Sequence, residues 1–338
     1  IALGLDGRRI CVVEDGLAGA SGDDAAAYIR YRSLMQKFSS ALDPFWHKRP
    51  PMVGSGSVRD VTTLGQFAWK LRTLGRQDMR EIMRMMFLPA QDLMDEYFED
   101  PLLKAALSWD ANLGSKLAPR SPNNAMLALL YRMSGDVGGE LPLPAGGVGG
   151  LVDALAAAAE SQGVELRTDS PVARAVVEDR RVTGVELASG ETFSAATVVS
   201  NADPKTSFFK LLGAQHLDVQ FTHRINRLRT DGFVAKLHLA LDGLPTFTGL
   251  DQADGRIILA ESMPAIEDAL DRAQSGEFAE QLPKEVIVPS LHDSSLAPGG
   301  KHLLSALVQY APNRVSGGWS ARREAFLENV MASLERYA

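Results

Sequence analysis

The side chains that most often carry out catalysis or bind metals are sparse in this sequence and do not form groups. Histidines occur at positions 47, 216, 223, 238, 292 and 302, with no pair at the spacing of metal ligands on one element. His238 lies in an apolar stretch, so we expect a hydrogen-bonded core residue there. The single cysteine, Cys11, excludes an internal disulfide and any cysteine-based metal cluster.

Two further polar clusters favour structural interpretations over catalytic ones. Gly54-Ser55-Gly56-Ser57 does not have the G-x-S-x-G spacing of a hydrolase nucleophile and follows no buried strand, which favours a flexible loop. Five acidic residues lie between positions 92 and 100 and could suggest a metal or acid–base site. A solvated helix face, with Asp100 as a helix cap, accounts for them better.

A cluster of glycines is the remaining candidate for chemistry. Gly146, Gly147, Gly149 and Gly150 form a loop without side chains, so a ligand or another stretch of backbone could approach closely. By itself such a cluster is weak evidence, because a tight connection between a packed helix and a strand has the same composition. Any chemistry here would use main-chain groups.

The elements around this loop form one consistent local pattern. Apolar residues at helical spacing predict a helix over Leu151–Gln162 that ends at Gly163. Valine-rich runs with turn residues between them predict a small antiparallel meander and a return strand. Asp203 and Pro204 are typical of the N-cap and first residue of a further helix. The predicted strands are Val164–Thr168, Val172–Glu178, Val182–Leu187 and Thr197–Ser200.

The N-terminal part of the chain is predicted to be mainly helical after a short hairpin turned at Asp6-Gly7. Capping residues and glycine stops predict its helices, and His47–Ser57 is rich in proline and glycine, typical of a loop. The predicted helices run from Asp23 or Asp24 to Ala41, from Asp60 to Gly75, from Asp100 to Gly114 and from Ser121 to Gly135.

The C-terminal part is predicted to contain a second sheet and a terminal helix. A short helix over Pro204–Leu212 precedes it, and Trp319–Tyr337 is amphipathic. Four runs read as strands that could share one sheet. They are Phe233–Leu241, Arg256–Ala260, Val286–Pro289 and His302–Ala311.

One segment of the helical part, Met79–Leu88, is rich in methionine. Methionine side chains are adaptable, so this segment could line a pocket for a long apolar substrate or touch a membrane surface. Burial in the helical core is the commoner outcome for such a segment.

The central section of the sequence reads PAGGVGGLVDALAAAAESQGVELRTDSPVARAVVEDRRVTGVELASGETFSAATVVSNADP. This section resembles the flavin amine oxidase and phytoene desaturase superfamily. It is most similar to the phytoene-dehydrogenase-like branch, which includes the pyridine nucleotide-disulphide oxidoreductase domain-containing proteins. The likeness continues in Val288–Pro312. It implies an α+β fold in which a helical block and a mixed or antiparallel sheet form a substrate domain. The meander would belong to a glutathione-reductase-like FAD domain.

The resemblance also implies a cofactor, FAD, and positions near it. Gly149 and Gly150, in the loop that Gly146 and Gly147 begin, would lie next to the flavin ring and the substrate. Val172 would pair its main-chain groups with the adenine edge. The chain would divide into 1–140, 141–205 and 206–338, the outer parts forming the substrate domain. Asn201 and Ala202, at the end of the return strand, would also lie close to the cofactor.

The sequence departs from the family pattern in two respects, one of which is the lack of the closing glycine-rich segment that passes along the flavin in family members. Family members open with a strand, G-x-G-x-x-G and a helix, which hold the FAD pyrophosphate. Residues 147–152 read GVGGLV, which lacks the third glycine, and prolines precede them. We therefore expect an interior piece of a longer flavoprotein and leave open whether this piece alone holds FAD.

Composition limits the remaining function classes. A hydrophobic content of 45% is ordinary for a globular protein, and a formal net charge of −7 argues against nucleic-acid binding. No apolar run approaches the roughly 20 residues of a membrane-spanning helix, so a cytoplasmic location is the default expectation. The expected function is FAD-dependent removal of a hydride from a C–C or C–N bond of an organic, apolar substrate, and contact with a membrane surface is left open. The alternatives are a non-catalytic binding module without flavin and a polyene-specific desaturase or isomerase.

Overall fold

The structure is a computed structural model that describes residues 1–46, 48–122, 129–130 and 144–338. The described residues divide into two compact units, one formed by 1–148 with 232–338 and the other by 149–231. The predicted parts end at residues 140 and 205, whereas the compact units change over after residues 148 and 231. The helix predicted from Ser121 to Gly135 lies largely outside the described residues.

Ten strands form two sheets within the described residues. The first unit has a seven-stranded sheet in the order β3-β2-β1-β8-β9-β10-β7, and the second has a three-stranded meander, β4-β5-β6. All neighbouring pairs are antiparallel except β1 and β8, which are parallel. The strands are β1 (Ala2–Leu3), β2 (Arg9–Val13), β3 (Gly16–Ala18), β4 (Val172–Glu178), β5 (Arg181–Leu187), β6 (Thr192–Ser194), β7 (Val234–Leu241), β8 (Ile257–Leu259), β9 (Lys284–Ile287) and β10 (His302–Gln309).

The helices of the described residues, in chain order, occupy both units. They are α1 (Gly22–Trp46), α2 (Val58–Thr73), α3 (Gly75–Met85), α4 (Ala90–Tyr97), α5 (Pro101–Asn112), α6 (Gly147–Ser161), α7 (Val219–Asn226), α8 (Met263–Gln274) and α9 (Trp319–Glu335). A π-helical stretch, Thr206–Gly213, precedes α7. Within the described ranges, no helix combines the length and the apolarity that crossing a lipid bilayer requires.

The fold of the first unit confirms the predicted combination of a helical block with a sheet. The hairpin turns where expected, with Ala2 opposite Ile10 and Gly7 at a φ of 77°. The four strands predicted after residue 230 do share one sheet, which the hairpin strands extend. Both faces of this sheet are covered, because neighbouring residues of β8, Ile257 and Ile258, point into different apolar clusters.

The helical block has its own apolar cluster, in which α1 supplies Tyr28, Tyr31, Met35 and Phe38 at helical spacing. The predicted start of α2 at Asp60 is wrong. The helix begins at Val58, and Asp60 is buried within its first turn, where its carboxylate accepts a hydrogen bond from Ser55 Oγ at 2.6 Å. Asp60, which the sequence pattern predicted to be the N-cap, therefore accepts a hydrogen bond from the Ser55 hydroxyl.

Two features of the first unit differ from expectation because of strand position and helix orientation. His238 is exposed on β7, which forms an edge of the sheet, so the prediction of a core histidine is wrong. In the methionine-rich segment, Ile82 and Met85 are buried, but Met79, Met83 and Phe87 are exposed. The segment therefore has two apolar sides.

The second unit contains the predicted meander in shortened form. β4 and β5 join at Asp179-Arg180, both at positive φ, the geometry of a tight two-residue hairpin turn. The strands predicted at Val164–Thr168 and Thr197–Ser200 are wrong, since neither run pairs with another strand among the described residues. Valine-rich composition shows that a segment would pack well in a β-sheet, but the segment forms a strand only where a partner strand is available.

The segments that flank the meander follow the capping signals. Helix α6 begins at Gly147, earlier than predicted, and Gly163, with a φ of 80°, follows its end. The Asp203 carboxylate accepts hydrogen bonds from the main-chain N–H groups of Lys205 and Thr206, so the predicted N-cap is present. Gly213, at a φ of 92°, ends the π-helical stretch.

A charged cluster joins α5 to the sheet in the first unit. The Arg256 guanidinium donates to Asp110 on α5 and, at 2.6 Å, to Glu285 on β9, while Trp109 Nε1 donates to the same Glu285 oxygen at 2.8 Å. Burial lowers the pKa of Arg256, but its hydrogen bonds to the two carboxylates raise it above its ordinary value. The arginine therefore stays charged and screens two half-buried carboxylates from each other.

A substitution at Arg256 tests this cluster. Arg256→Leu should lower the free energy of unfolding by about 2–4 kcal/mol, because it leaves two half-buried carboxylates without a cation. Urea denaturation followed by fluorescence measures the change. Arg272→Leu removes an exposed helix pair with Asp268 and should cost no more than about 0.5 kcal/mol. Equal effects of the two substitutions would contradict the special role of Arg256.

Lys284 on β9 is a buried base, 1% exposed, whose Nζ donates to Ser333 Oγ on α9 at 2.8 Å. Burial, with a smaller contribution from Arg336, lowers the pKa of Lys284 to about 7. Between this value and the ordinary 10.5, the unfolded chain binds a proton that the folded protein does not. Stability from this group therefore rises with pH across that window.

A pH series on Lys284→Met tests the assignment. The wild-type free energy of unfolding, minus that of the variant, should rise by a few kcal/mol from pH 7 to pH 10.5, since one pKa unit corresponds to about 1.4 kcal/mol. Urea denaturation at each pH gives this difference. The exposed Lys301→Met should show a nearly flat difference. A flat curve for Lys284→Met as well would show that Lys284 is charged when buried.

Candidate functional site

The glycine-rich loop begins in the first unit with two residues in left-handed conformation. Gly146 and Gly147 have φ angles of 76° and 69°, a region that side chains disfavour. The Gly147 N–H donates to the Pro144 carbonyl at 2.9 Å, which closes a tight turn directly before α6. The backbone conformation of the loop thus requires glycine at these two positions.

Asp293 holds this turn in place. Its Oδ2 accepts a hydrogen bond from the Gly146 N–H at 2.6 Å, and its Oδ1 accepts from the Ser295 N–H at 2.9 Å and the Ser295 hydroxyl at 2.6 Å. The hydrogen bond from the Ser295 side chain, followed by that from Gly146, holds the pKa of Asp293 below its ordinary value. The carboxylate is therefore ionised at neutral pH and accepts from both segments.

Sequence reasoning missed Asp293. A local signal existed, because Asp followed by two serines is typical of an Asx turn, and the short 3₁₀ helix Ser294–Leu296 begins there. The contact with Gly146 lies 147 residues away in the chain, and no local pattern predicts it. Leu296 adds a second contact, since a Cβ on Gly147 would lie 3.2 Å from its Cδ2 atom.

The next two glycines belong to the second unit and lie in the first turn of α6. Apart from its chain neighbours and the backbone of α6 itself, no heavy atom of the described residues lies within 4 Å of the position that a Cβ would take on Gly149. Gly149 is exposed and Gly150 half-buried. Packing therefore does not require glycine at position 149, and the bare main chain faces space that a ligand could fill.

Val172 is the first residue of β4, an edge strand of the meander. The preceding Pro171 carbonyl accepts from the Ala188 N–H at 2.8 Å and so points toward β5. Because main-chain groups alternate in direction along a strand, the N–H and C=O of Val172 point to the free edge. This is the orientation that main-chain pairing with a ligand would need.

Asn201 and Ala202 are exposed and lie directly before the Asp203 cap. The Ala202 carbonyl accepts from the Ser207 hydroxyl at 3.0 Å, and its N–H donates to Ser200 Oγ at 3.3 Å. The two serine hydroxyls lie 2.7 Å apart. A short hydrogen-bonded turn thus fixes the backbone at this point.

Five of the seven predicted site residues belong to the unit 149–231, and two belong to the other unit. Gly149, Gly150, Val172, Asn201 and Ala202 share the smaller unit. Gly146 and Gly147 lie in the larger one, where they contact the segment around Asp293. That the seven positions bind a cofactor remains a prediction.

The side chains excluded on sequence grounds have structural partners. Ser55 donates to Asp60, His292 Nε2 lies 3.1 Å from Asp254, and His302 Nδ1 lies 3.2 Å from Ser290 Oγ. In the part of the chain that the structure describes, no three His, Cys, Asp or Glu side chains are grouped so that they could hold a metal ion.

Comparison with known proteins gives a family for the chain. A sequence model of the flavin containing amine oxidoreductases matches residues 26–337. The rat protein "pyridine nucleotide-disulfide oxidoreductase domain-containing protein 2" is 30% identical over 357 residues, covering 99% of this chain and 61% of the relative. The neurosporene-forming phytoene desaturase of Cereibacter sphaeroides is 28% identical over 201 residues, covering 56% of this chain and 37% of that protein.

A solved structure supports the fold. The crystal structure of an oxidoreductase from Methanosarcina mazei aligns with a TM-score of 0.53 at 18% sequence identity, over 79% of this chain and 58% of that one. The chain thus spans about three fifths of the length of the rat relative and of this structure. The expected resemblance to phytoene desaturase-like proteins is confirmed.

The contact between Asp293 and the glycine turn can be tested by hydrogen exchange. Asp293→Ala should speed amide exchange several-fold at residues 145–148 and 294–296, because both segments lose their shared acceptor. Mass spectrometry of peptic fragments gives this measurement. Asp203→Ala removes a similar cap and should speed exchange near residues 205–206 only. Unchanged exchange at Gly146 in Asp293→Ala would contradict the assigned contact.

Proposed function

The chain belongs to the flavin containing amine oxidoreductase family, and from this premise we propose that it is part of an FAD-dependent oxidoreductase. The proposed reaction removes a hydride from a C–C or C–N bond of an organic, apolar substrate. The observation that carries this proposal is the family match over residues 26–337, which includes every predicted site residue.

The described residues fit a flavin in two respects. The main chain at Gly149 faces open space, which suits a planar ring lying against backbone. The N–H and C=O of Val172 point to a free strand edge, which suits pairing with the edge of an adenine. FAD, when bound, supplies the acceptor for the hydride.

The roles proposed for this chain are positional. Gly149 and Gly150 leave room for the ring and the substrate, Val172 pairs with the adenine, and Asn201 and Ala202 border the cofactor. Asp293 keeps the preceding turn in one conformation through its hydrogen bond with Gly146. These groups orient the reactants and exclude water, and none of them needs to donate or accept a proton.

An apolar substrate is favoured by one relative and by the composition of the chain. A protein that is 28% identical over part of its length is named as a phytoene desaturase, and the helical block here is rich in methionine. From this relative we extend only the class of substrate to this chain. We also propose that the full-length protein is cytoplasmic. Because the chain spans 61% of the rat relative, the activity proposed is that of the full-length protein.

The second unit exposes apolar side chains that this proposal explains. Leu151, Val152 and Leu155 are exposed on α6, and Val199, in the predicted return strand, is 89% exposed. We propose that further parts of the FAD domain cover these side chains in the full-length protein. The same surface would also suit the alternative, a non-catalytic module that binds a partner and no flavin.

Visible absorption of the full-length protein tests the proposal. Flavin bands should co-elute with the protein, and Gly150→Trp should abolish their bleaching by substrate under anaerobic conditions, because an indole would occupy the space proposed for the ring. Gly243→Trp is the control, since a Cβ there meets no described residue other than its chain neighbours within 4 Å and the site is remote in sequence. A full-length protein that takes up no FAD would favour the binding module.

A further inference from the structure

Helix α2 has two apolar sides, and only one of them is packed. Thr63 is buried and Phe67 contacts Phe45 in the helical block, with ring centroids 4.6 Å apart. The opposite side carries Val58, Val61 and Trp69, and Trp69 is 68% exposed. These positions follow helical spacing, so the three side chains form one exposed stripe.

Helix α3 repeats this arrangement. Ile82 and Met85 are fully buried in the helical block. Met79 and Met83, together with Phe87 just after the helix, recur every four residues and are exposed, with Phe87 at 66%. The outward side of a surface helix is ordinarily polar, so both helices present apolar side chains where a soluble helix would not. We refer to Val58, Val61, Trp69, Met79, Met83 and Phe87 as the α2–α3 outer surface.

The charge of this region is opposite to that of the chain. Residues 48–88 contain eight lysines and arginines and three acidic residues, a net charge of +5, whereas the whole chain carries −7. Arg76 and Arg80 lie on α3 at four-residue spacing, Arg80 between the exposed Met79 and Met83, and Arg59 and Arg72 lie on α2. All four arginines are exposed.

The acidic side chains of the region are already engaged. Asp60 is buried with Ser55 and Arg49, Asp78 pairs with Lys37 at 2.6 Å, and Glu81 pairs with Arg84. Among the described residues, no carboxylate lies within ion-pair distance of Arg59, Arg72, Arg76 or Arg80. The outer surface therefore combines apolar side chains with arginines that have no acidic partner in the part of the chain that the structure describes.

An open cleft beside Trp69 adds two ammonium groups. It has a volume of about 520 Å³, and its lining includes Lys48, Lys70 and Asp43. Lys48 Nζ donates to Gln66 Oε1 at 2.5 Å, and Lys70 Nζ lies 3.2 Å from an Asp43 oxygen. A phosphate group at the mouth of this cleft would meet the Lys48 ammonium next to an exposed indole, whereas Lys70 is already paired with Asp43.

We propose that the α2–α3 outer surface docks onto an anionic phospholipid bilayer, with Trp69, Met79, Met83 and Phe87 entering the boundary between headgroups and acyl chains. The four arginines would contact lipid phosphates, as on other helices that lie in a membrane interface. This inference goes beyond the proposed reaction and does not depend on it, because no site residue takes part.

The side chains distinguish a bilayer from other anionic partners. Nucleic acids are bound through basic side chains and aromatic stacking on bases, whereas valine and methionine offer no stacking surface. Aliphatic side chains interleaved with arginine and tryptophan instead match the chemical layers of a lipid interface. The methionines, being flexible, tolerate a fluid partner.

Vesicle flotation tests the proposal on the 338-residue chain. Wild type should float with vesicles of phosphatidylcholine mixed with phosphatidylglycerol and much less with phosphatidylcholine alone. Replacing Arg59, Arg72, Arg76 and Arg80 by glutamine should weaken binding by more than about a hundredfold, since each basic residue near an anionic surface contributes roughly fivefold. Added salt should weaken wild-type binding in the same direction.

Control variants separate docking from charge and from folding. Arg227, Arg229, Arg314 and Arg323 are exposed elsewhere, and their replacement by glutamine should leave flotation within about threefold of wild type. Trp69→Phe should remove a blue shift of tryptophan emission that vesicles induce in wild type. Circular dichroism and thermal unfolding confirm that each variant folds.

Three results would overturn the proposal. They are absence of flotation with the mixed vesicles, equal losses for the two sets of arginine variants, and tighter binding to duplex DNA than to the vesicles. None of them bears on FAD binding by the full-length protein, so this inference and the proposed reaction fail separately.

Discussion

The pairing of Arg256 with Asp110 and Glu285 is the interaction on which the first unit depends, because it joins the helical block to the sheet through α5. The other end of α5 is fixed just as firmly. Asp100 caps the helix, and its own N–H donates to the buried Asp24 carboxylate on α1. One twelve-residue helix thus contacts polar groups of α1 at its start and, near its end, Arg256 directly before β8 and Glu285 on β9. Carboxylates half-removed from water make this arrangement costly to disturb, so the relative position of block and sheet is strongly specified.

Local patterns predicted the elements whose stabilising contacts are also local. Asp100 and Asp203 cap the helices that follow them, and the tight turn at Asp179-Arg180 joins the strands on either side. The failures share a dependence on distant partners. Val164–Thr168 has β-forming composition but no partner strand among the described residues, and His238 is exposed because it lies on the side of β7 whose alternate residues face outward. A sequence shows what a segment can do, and strand order decides whether it does so.

The candidate site illustrates the same limit at the level of function. Its proposed contacts come from main-chain groups, as at Val172, or from the absence of a side chain, as at Gly149. Neither leaves a chemical signature of the kind that grouped histidines or carboxylates leave. The family likeness in the surrounding wording is therefore what indicates the positions. Asp293 escaped notice because its role, fixing Gly146, exists only once two segments far apart in the chain are brought together.

Two apolar surfaces are exposed, and their charges distinguish what each is suited to contact. Helix α6 has Asp153 and Glu160 as its charged residues and no lysine or arginine, so its exposed leucines suit burial against neutral protein segments. The α2–α3 outer surface instead sets its exposed apolar side chains among arginines that lack acidic partners within the described ranges. A protein interior would have to neutralise those arginines, at a considerable desolvation cost, whereas lipid phosphates neutralise them at the wet boundary of the bilayer. Both surfaces expose apolar side chains, but their charged residues differ. We therefore assign α6 to a protein partner and the α2–α3 outer surface to a lipid bilayer.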